Sequence, residues 1–141
     1  MDLRKLTDDI SVAPQLSRDE LSQAAKLGFK TVICNRPDGE DVSQPVAEDM
    51  ADTAGDSGMT FVHQPVISGN VTMDDVQQFS QLLQDMPKPI LAYCRSGTRC
   101  STLWALSEAT SRDIDEIIRI CADAGYDYRG LRPTLEALAK G

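Results

Sequence analysis

The chain has 141 residues, of which 41% are hydrophobic, and its 22 acidic against 14 basic residues give a formal net charge of −8. This length and apolar content are typical of one globular domain with its own core, and they exclude a disordered chain. The negative charge argues against nonspecific nucleic-acid binding and against an anionic membrane surface, so an anion site must rest on local positive charge.

The first half of the chain alternates strand signals with helix signals. Residues 10–13 predict a first short strand, and Ser17-Arg18-Asp19-Glu20 is a capping box that opens a helix reaching Leu27. Residues 29–34 predict the next strand, followed by a turn-rich loop over 35–39. A helix is predicted from residue 44 to 52 or 54, and then a strand over 60–66.

The second half continues the same alternation. Thr72-Met73-Asp74-Asp75 is another capping box, which opens a helix that ends before Pro87. Residues 89–92 predict a strand, which leads through a glycine-bearing loop into a helix over 101–109. Two more helices follow, one capped by Asp113 and one opened by Pro133. The β-α-β-α order predicts a single domain over residues 1–141, an α/β sandwich around a mainly parallel sheet of four or five strands.

The loop over residues 93–100 is the most informative part of the sequence. It reads Tyr93-Cys94-Arg95-Ser96-Gly97-Thr98-Arg99-Cys100. Backbone N–H groups in such a loop make an anion-binding concavity, and the start of the next helix adds partial positive charge. A cysteine placed there, near arginine, loses its proton easily, and the thiolate is the nucleophile.

We therefore predict an active site built around this loop, beyond the carboxyl ends of the strands. The predicted catalytic residues are Cys94 and Arg99. The predicted substrate-binding residues are Arg95, Ser96, Gly97, Thr98, Cys100 and, from the loop after the preceding strand, Arg36. A plain turn with a solvated arginine explains residues 36–39 about equally well, so Arg36 and Asp38 are second-tier candidates.

The remaining cysteines and the single histidine do not predict a metal site. The four cysteines lack any Cys-x-x-Cys pair, and His63 is the only histidine, so we expect neither zinc nor another cofactor. His63 lies in an alternating segment and is predicted as a partly buried, hydrogen-bonded structural residue. Cys121 falls on the apolar face of a helix and is predicted as core. The lack of an apolar signal segment or a bilayer-length apolar run predicts a cytoplasmic protein.

The chain resembles the bacterial family of phosphatase-like domains that also occur joined to persulfide dioxygenases in beta-lactamase hydrolase-like proteins. The resemblance extends from Ile10 to about Leu138 and rests on three motifs, Asn35-Arg36-Pro37-Asp38-Gly39-Glu40, Cys94-Arg95-Ser96-Gly97-Thr98-Arg99 and Gly130-Leu131-Arg132-Pro133. It implies a dual-specificity-phosphatase-like three-layer fold with a rhodanese-like cysteine loop. Both phosphatase and sulfurtransferase activities have been attached to this family.

The loop spacing and one absence favour a sulfurtransferase over a phosphatase. Cysteine phosphatases place five residues between nucleophile and arginine, whereas Arg99 follows Cys94 after four, as in single-domain rhodaneses. The stretch after the strand over 60–66 also lacks the aspartic acid that would protonate a leaving alkoxide. We expect Cys94 to take sulfane sulfur from thiosulfate or a persulfide, forming a persulfide, and to pass it to a thiol such as glutathione. The resemblance implies a separate persulfide dioxygenase as a partner.

Two other functions stay open at this stage. The first is a phosphatase of the dual-specificity or tyrosine phosphatase type, acting through a phosphocysteine at Cys94. The second is a noncatalytic persulfide carrier that uses the same pocket. Cys100 stands where the family leads us to expect serine, so it is either a harmless small substitution or a resolving cysteine that forms a disulfide with Cys94.

Overall fold

The computed structural model describes all residues, 1–141, as five strands and six helices, which alternate from β2 to α4. The strands are β1 Arg4–Thr7, β2 Ile10–Ala13, β3 Thr31–Cys34, β4 Thr60–His63 and β5 Ile90–Tyr93. The helices are α1 Arg18–Lys26, α2 Ala47–Asp56, α3 Met73–Asp85, α4 Thr98–Glu108, α5 Ile114–Asp123 and α6 Arg132–Ala139, with a 3₁₀ turn over Arg129–Leu131 before α6.

The strands form one sheet in the order β1-β2-β5-β3-β4. β1 pairs with β2 in antiparallel fashion, and all other neighbours are parallel. β5 therefore lies at the centre, with Ala13 of β2 and Cys34 of β3 both paired with its last residue, Tyr93. The predicted α/β sandwich with a mainly parallel sheet is confirmed. This register brings the loops after β2, β3 and β5 together at one edge of the sheet.

Helices cover both faces of the sheet because successive side chains of a buried strand point to opposite sides. Ile90 and Ala92 belong to the larger apolar cluster, which is formed with α3, α4, α5 and α6. Leu91 and Tyr93 belong to the smaller cluster, formed with α1 and α2. Trp104 of α4 is the largest fully buried side chain and packs in the larger cluster.

The predicted capping boxes are present, whereas several boundaries differ from the prediction. Ser17 and Glu20 cap α1, and Thr72 caps α3 with Asp75. β1 was not predicted, because it is a polar edge strand in which only Leu6 is buried. α2 begins three residues later than expected, and β4 ends three residues earlier. No helix of the structure is both long enough and apolar enough to cross a membrane.

α4 also begins three residues earlier than predicted, at Thr98. The apolar pattern that marks this helix in the sequence starts only at Leu103, so its polar first turn gives no periodic signal. Arg99 and Cys100 therefore lie in the first turn of α4 and are both buried. The early start places the free backbone N–H groups of that turn beside the cysteine loop.

Candidate active site

The cysteine loop leaves the central strand β5 and runs directly into α4. The neighbouring strand β2 holds its start, since the N–H of Cys94 donates to the carbonyl of Ala13 at 3.4 Å. The N–H of Gln15 donates to the carbonyl of Arg95 at 3.2 Å. The loop therefore lies in the crevice where ligands bind in open parallel sheets.

The Cys94 thiol is fully buried and strongly acidified. Its pKa falls to about 5, with the adjacent Cys100 side chain as the largest cause, and burial opposes this shift. The backbone N–H groups of Cys100, Gly97 and Ser96 lower the pKa further, and the Gly97 nitrogen lies 3.1 Å from the sulfur. Cys94 is therefore a thiolate at neutral pH.

Cys100 stays a thiol under the same conditions. Burial raises its pKa well above the ordinary value, and the adjacent Cys94 thiolate raises it further. Because Cys100 keeps its proton, its thiol can act as a hydrogen-bond donor to the Cys94 thiolate. From the sequence, Cys100 was expected to be either a harmless small substitution or a resolving cysteine. In the structure its side chain is the largest cause of the low pKa of Cys94.

Gly97 turns the loop into the helix, and two constraints exclude a side chain there. Its φ of +89° lies in the left-handed region, which glycine adopts without steric cost. A Cβ atom at Gly97 would also lie 2.2 Å from the hydroxyl oxygen of Tyr126. The loop conformation thus depends on a residue 29 positions further along the chain.

Arg99 is buried and its guanidinium is held by Glu40. Nη1 and Nη2 of Arg99 donate to the two carboxylate oxygens of Glu40, each at 2.8 Å, and Nη1 also donates to the carbonyl of Val66 at 3.0 Å. Such bidentate pairs fix both position and orientation. These bonds use three of the five N–H donors of the guanidinium, so two remain for an anion.

Arg36 is the second buried arginine of the site and shares the same carboxylate. It is only 4% exposed, and its Nε donates to an oxygen of Glu40 at 2.9 Å. Its Nη1 donates to the side-chain oxygen of Gln15 at 3.0 Å. The bonds from Arg99 and Arg36 hold the pKa of Glu40 below its ordinary value, Arg99 having the largest effect. Glu40 therefore stays ionised and cannot act as an acid at neutral pH.

Glu40 is the site residue that the sequence analysis did not single out, although it closes the Asn35–Glu40 motif. The signal was present as an acidic residue four positions after Arg36, but nothing in the sequence links it to Arg99, 59 positions away.

Among the predicted residues of the cysteine loop, Arg95, Ser96 and Thr98 are exposed, whereas Gly97, Arg99 and Cys100 are buried.

A cleft of about 560 Å³ opens over the exposed side of the loop. Its lining consists of two arginines, four hydroxyl-bearing residues, one glycine and one valine: Ser68, Gly69, Val71, Arg95, Ser96, Thr98, Arg99 and Thr102. None of them carries a carboxyl group or an imidazole that could act as a general acid and protonate a leaving group. Because Cys94 is covered by the loop, a substrate that enters this cleft has to open a path to the sulfur.

The other residues considered beforehand lie outside this arrangement. Asp38 accepts from the N–H of Ala47 at 2.8 Å and so serves the start of α2. His63 is exposed, not partly buried as predicted, and one ring nitrogen lies 2.9 Å from the carbonyl of Arg36. Arg132 forms an exposed ion pair with Asp115. Cys121 is buried in the apolar cluster, as its helical position predicted.

Together these residues form a thiolate inside a ring of N–H donors, with a buried arginine at its side. Such a site can attack the electrophilic atom of a small anion and stabilise the charge that develops on it. It offers no protonated carboxyl group for a leaving group. The arrangement is therefore suited to a leaving group that departs as an anion.

Comparisons with known proteins identify the family of the chain. Residues 2–111 match the family described as "Beta-lactamase hydrolase-like protein, phosphatase-like domain". A beta-lactamase hydrolase-like protein of Xylella fastidiosa is 30% identical over 129 residues, which cover 90% of this chain and 30% of that protein. The chain thus spans about three tenths of the length of this curated relative. The family predicted from the sequence motifs is confirmed.

Two solved structures extend the comparison. A protein of Neisseria meningitidis that is provisionally named a phosphatase is 41% identical, with a TM-score of 0.86 over 98% of this chain and 99% of that chain. Tk-PTP in its active form is 15% identical, with a TM-score of 0.71 over 99% of this chain and 97% of that chain. The predicted phosphatase-like fold is confirmed, while the second likeness concerns the fold alone.

Proposed function

Because the chain belongs to the phosphatase-like domain family of beta-lactamase hydrolase-like proteins, we propose that it is a cysteine-dependent phosphatase. The observation that carries the proposal is the Cys94 thiolate, whose sulfur lies 3.1 Å from the Gly97 nitrogen and whose pKa is about 5. This proposal takes the alternative of the two chemistries weighed from the sequence. It departs from the sulfurtransferase that the loop spacing led us to expect.

The first step is a displacement at phosphorus. The Cys94 sulfur attacks the phosphorus of a phosphate monoester or anhydride, the S–P bond forms, and the P–O bond to the leaving group breaks with its electron pair. Loop N–H groups and the two free donors of Arg99 stabilise the equatorial oxygens, where negative charge is spread. The product is a phosphocysteine at Cys94.

The second step regenerates the thiolate. Water attacks the phosphorus of the phosphocysteine, the S–P bond breaks, and inorganic phosphate leaves with the proton passing to solvent. Cys94 is a good leaving group for this step because its thiolate is stable at neutral pH. The same low pKa that makes it available as a nucleophile therefore also favours turnover.

The missing acid restricts the substrates. An alkoxide is a poor leaving group without protonation, whereas phenolates, carboxylates and phosphates depart as anions. Glu40 cannot supply the proton because Arg99 and Arg36 keep it ionised. We therefore infer a preference for aryl phosphates, acyl phosphates or phosphoanhydrides over alkyl phosphates.

The relatives support the reaction class and leave the substrate open. The Neisseria meningitidis protein covers nearly the whole chain and is provisionally named a phosphatase. The curated relatives are longer than this chain, so their complete activities are not transferred to it.

Steady-state assays with an aryl phosphate and an alkyl phosphate test the proposal. The expected result is release of inorganic phosphate from the aryl ester, at least ~10-fold faster than from the alkyl ester, since the latter needs the absent acid. Cys94→Ser should abolish both activities. Wild-type protein that folds and yet releases no phosphate from either substrate, or from an acyl phosphate, contradicts the proposal.

Sulfur transfer is the second candidate function, and one observation favours it. Arg99 follows Cys94 after four residues, so the ring is smaller than that of a cysteine phosphatase, and sulfite leaves thiosulfate with little need for an acid. In this reaction Cys94 would take the outer sulfur of thiosulfate and pass it to a thiol such as glutathione. Mass spectrometry after thiosulfate treatment would then find one added sulfur on Cys94, and thiosulfate with cyanide would give thiocyanate.

A further inference from the structure

Two tyrosine rings contact the cysteine loop, and neither belongs to the residues that line the cleft. Tyr126 and Tyr128 follow α5 and stack with ring centroids 6.2 Å apart at an interplanar angle of 13°. Both are buried, at 9% and 8% exposure. They lie outside residues 2–111, the part of the chain that matches the family model. No step of the reaction described above uses them.

Both hydroxyl groups donate to carbonyl oxygens of the loop. The Tyr126 hydroxyl donates to the carbonyl of Ser96 at 3.2 Å, and the Tyr128 hydroxyl donates to that of Thr98 at 3.1 Å. The two bonds differ in one respect. The Thr98 carbonyl also lies 3.1 Å from the Ser101 hydroxyl, which contacts the Tyr128 hydroxyl, so either hydroxyl can be its donor. The Ser96 carbonyl has only Tyr126 as a hydrogen-bond donor.

The Ser96 carbonyl belongs to the same peptide unit as the N–H that faces the nucleophile. A trans peptide is planar, and its C=O and N–H point in opposite directions. Holding the Ser96 oxygen outward on Tyr126 therefore turns the Gly97 N–H inward, where its nitrogen lies 3.1 Å from the Cys94 sulfur. In this orientation of the peptide unit, Gly97 has a φ of +89°.

Tyr126 is itself fixed from outside. The Arg4 guanidinium lies over its ring at 5.6 Å from the centroid, and Nη1 of Arg4 donates to the carbonyl of Ala124 at 2.8 Å. Burial raises the pKa of Tyr126 to about 12, so its hydroxyl remains a donor throughout the neutral range. Arg4 of the edge strand β1 thus contacts Tyr126, and Tyr126 in turn contacts the cysteine loop.

We propose that Tyr126 is a positioning residue that sets the acidity of Cys94 by holding the Ser96–Gly97 peptide in its inward orientation. The inference rests on Cys94 as the nucleophile of the proposed function, whichever electrophile it attacks. It also explains why no side chain fits at Gly97, since the Tyr126 hydroxyl fills that space. Without the hydroxyl, this peptide unit can rotate and the thiolate loses one of its donors.

The test is a pH titration of the Cys94 thiolate by its absorbance near 240 nm, read as the difference from a Cys94→Ser background. Tyr126→Phe removes one hydroxyl and keeps the ring. We expect the pKa of Cys94 to rise by about 0.5–1 pH unit, the size of one lost hydrogen bond. Tyr128→Phe is the matched control, and because Ser101 still holds the Thr98 carbonyl it should move the pKa by less than half as much.

A folded Tyr126→Phe protein with the wild-type pKa of Cys94 overturns the proposal, even if its melting temperature falls, because that pattern is purely structural. An equal shift in Tyr128→Phe overturns it as well. If Tyr126→Phe does not fold, Arg4→Ala decides, because it frees the ring and should raise the same pKa; an unchanged value then overturns the proposal. The titration needs no substrate, so it is separable from failure of the phosphatase assay.

Discussion

Cys94 and Cys121 are both fully buried thiols, yet their chemistry is opposite. The pKa of Cys121, on α5 inside the apolar cluster, rises to about 12 because burial acts on it alone. The pKa of Cys94 falls to about 5 because hydrogen-bond donors outweigh the same burial. Burial by itself therefore disfavours a thiolate, and only a ring of donors produces one.

The two regions also differ in how they are built. Cys121 lies on a regular helix, where backbone N–H groups are used within the helix. Cys94 precedes a helix start, where the first N–H groups have no partner inside the helix and can turn to the sulfur. The contrast separates a core cysteine from a reactive one by local backbone geometry, not by exposure.

The largest effect should come from exchanging Cys94 for alanine, with Cys121→Ala as the comparison. Cys94→Ala should lower phosphate release by at least ~10³-fold, because the nucleophile is gone. Cys121→Ala should keep most of the activity and cost about 1 kcal/mol of unfolding free energy through lost packing. Steady-state kinetics and denaturant unfolding of both variants provide the measurement. Comparable activity loss in the two variants would remove the distinction between these thiols.

Removing the charge of Glu40 should have the next largest effect on activity. The Cys94 region contains buried charged groups, whereas the Cys121 region does not. Glu40→Gln leaves Arg99 and Arg36 without their shared carboxylate, so the free guanidinium groups lose their fixed orientation. We expect kcat/KM to fall about 10-fold. Asp41→Asn in the same exposed loop is the control and should change it by less than ~2-fold. Equal losses in both variants would mean that only the net charge matters.

The pH dependence of stability should also separate the two cysteines. The folded pKa of Cys94, about 5, lies below the ordinary value of 9.0, so its contribution is complete above pH 9 and disappears as pH falls towards 5. Between pH 5 and pH 7, wild type should gain about 2 kcal/mol of unfolding free energy relative to Cys94→Ala.

Cys121 should behave in the reverse way, because its folded pKa of about 12 lies above the ordinary value. Its contribution is complete below pH 9 and is lost as pH rises towards 12. The difference between wild type and Cys121→Ala should therefore stay constant from pH 5 to pH 8. Denaturant unfolding across this range measures both, and parallel curves for the two variants would contradict the assigned acidities.

The smallest effect is expected at Cys100, which distinguishes a thiol donor from simple packing. Cys100→Ala removes the leading donor and should raise the pKa of Cys94 by about one unit. Cys100→Ser keeps a hydroxyl donor and should leave the value near that of wild type. Absorbance titration of the thiolate provides the measurement. If both substitutions give the same pKa, Cys100 acts only as a small core residue.

Much of the site was readable from local patterns. A strand, a glycine-bearing loop and a helix start placed Cys94 as the nucleophile candidate, and the capping boxes at Ser17 and Thr72 fixed two helix starts. These features depend on residues adjacent in the chain, so spacing alone carries them. The sequence predicted Arg36 as a candidate binding residue, but it did not predict that Arg36 is buried. Its turn sequence fits a solvated arginine equally well.

The remaining features depend on contacts between distant segments. Glu40 meets Arg99 and Tyr126 meets Ser96 only because the sheet order brings β3, β5 and the segment after α5 to one place. β1 escaped prediction for a related reason, since an edge strand needs no apolar periodicity.

The sequence by itself determined the family, the alternation of strands and helices, and the cysteine that would carry the chemistry, because each of these is encoded in neighbouring residues. Only the tertiary structure decided how acidic that cysteine is and which arginine donors remain for an anion. Both depend on hydrogen bonds and charges whose partners lie far apart in the chain and meet only after folding.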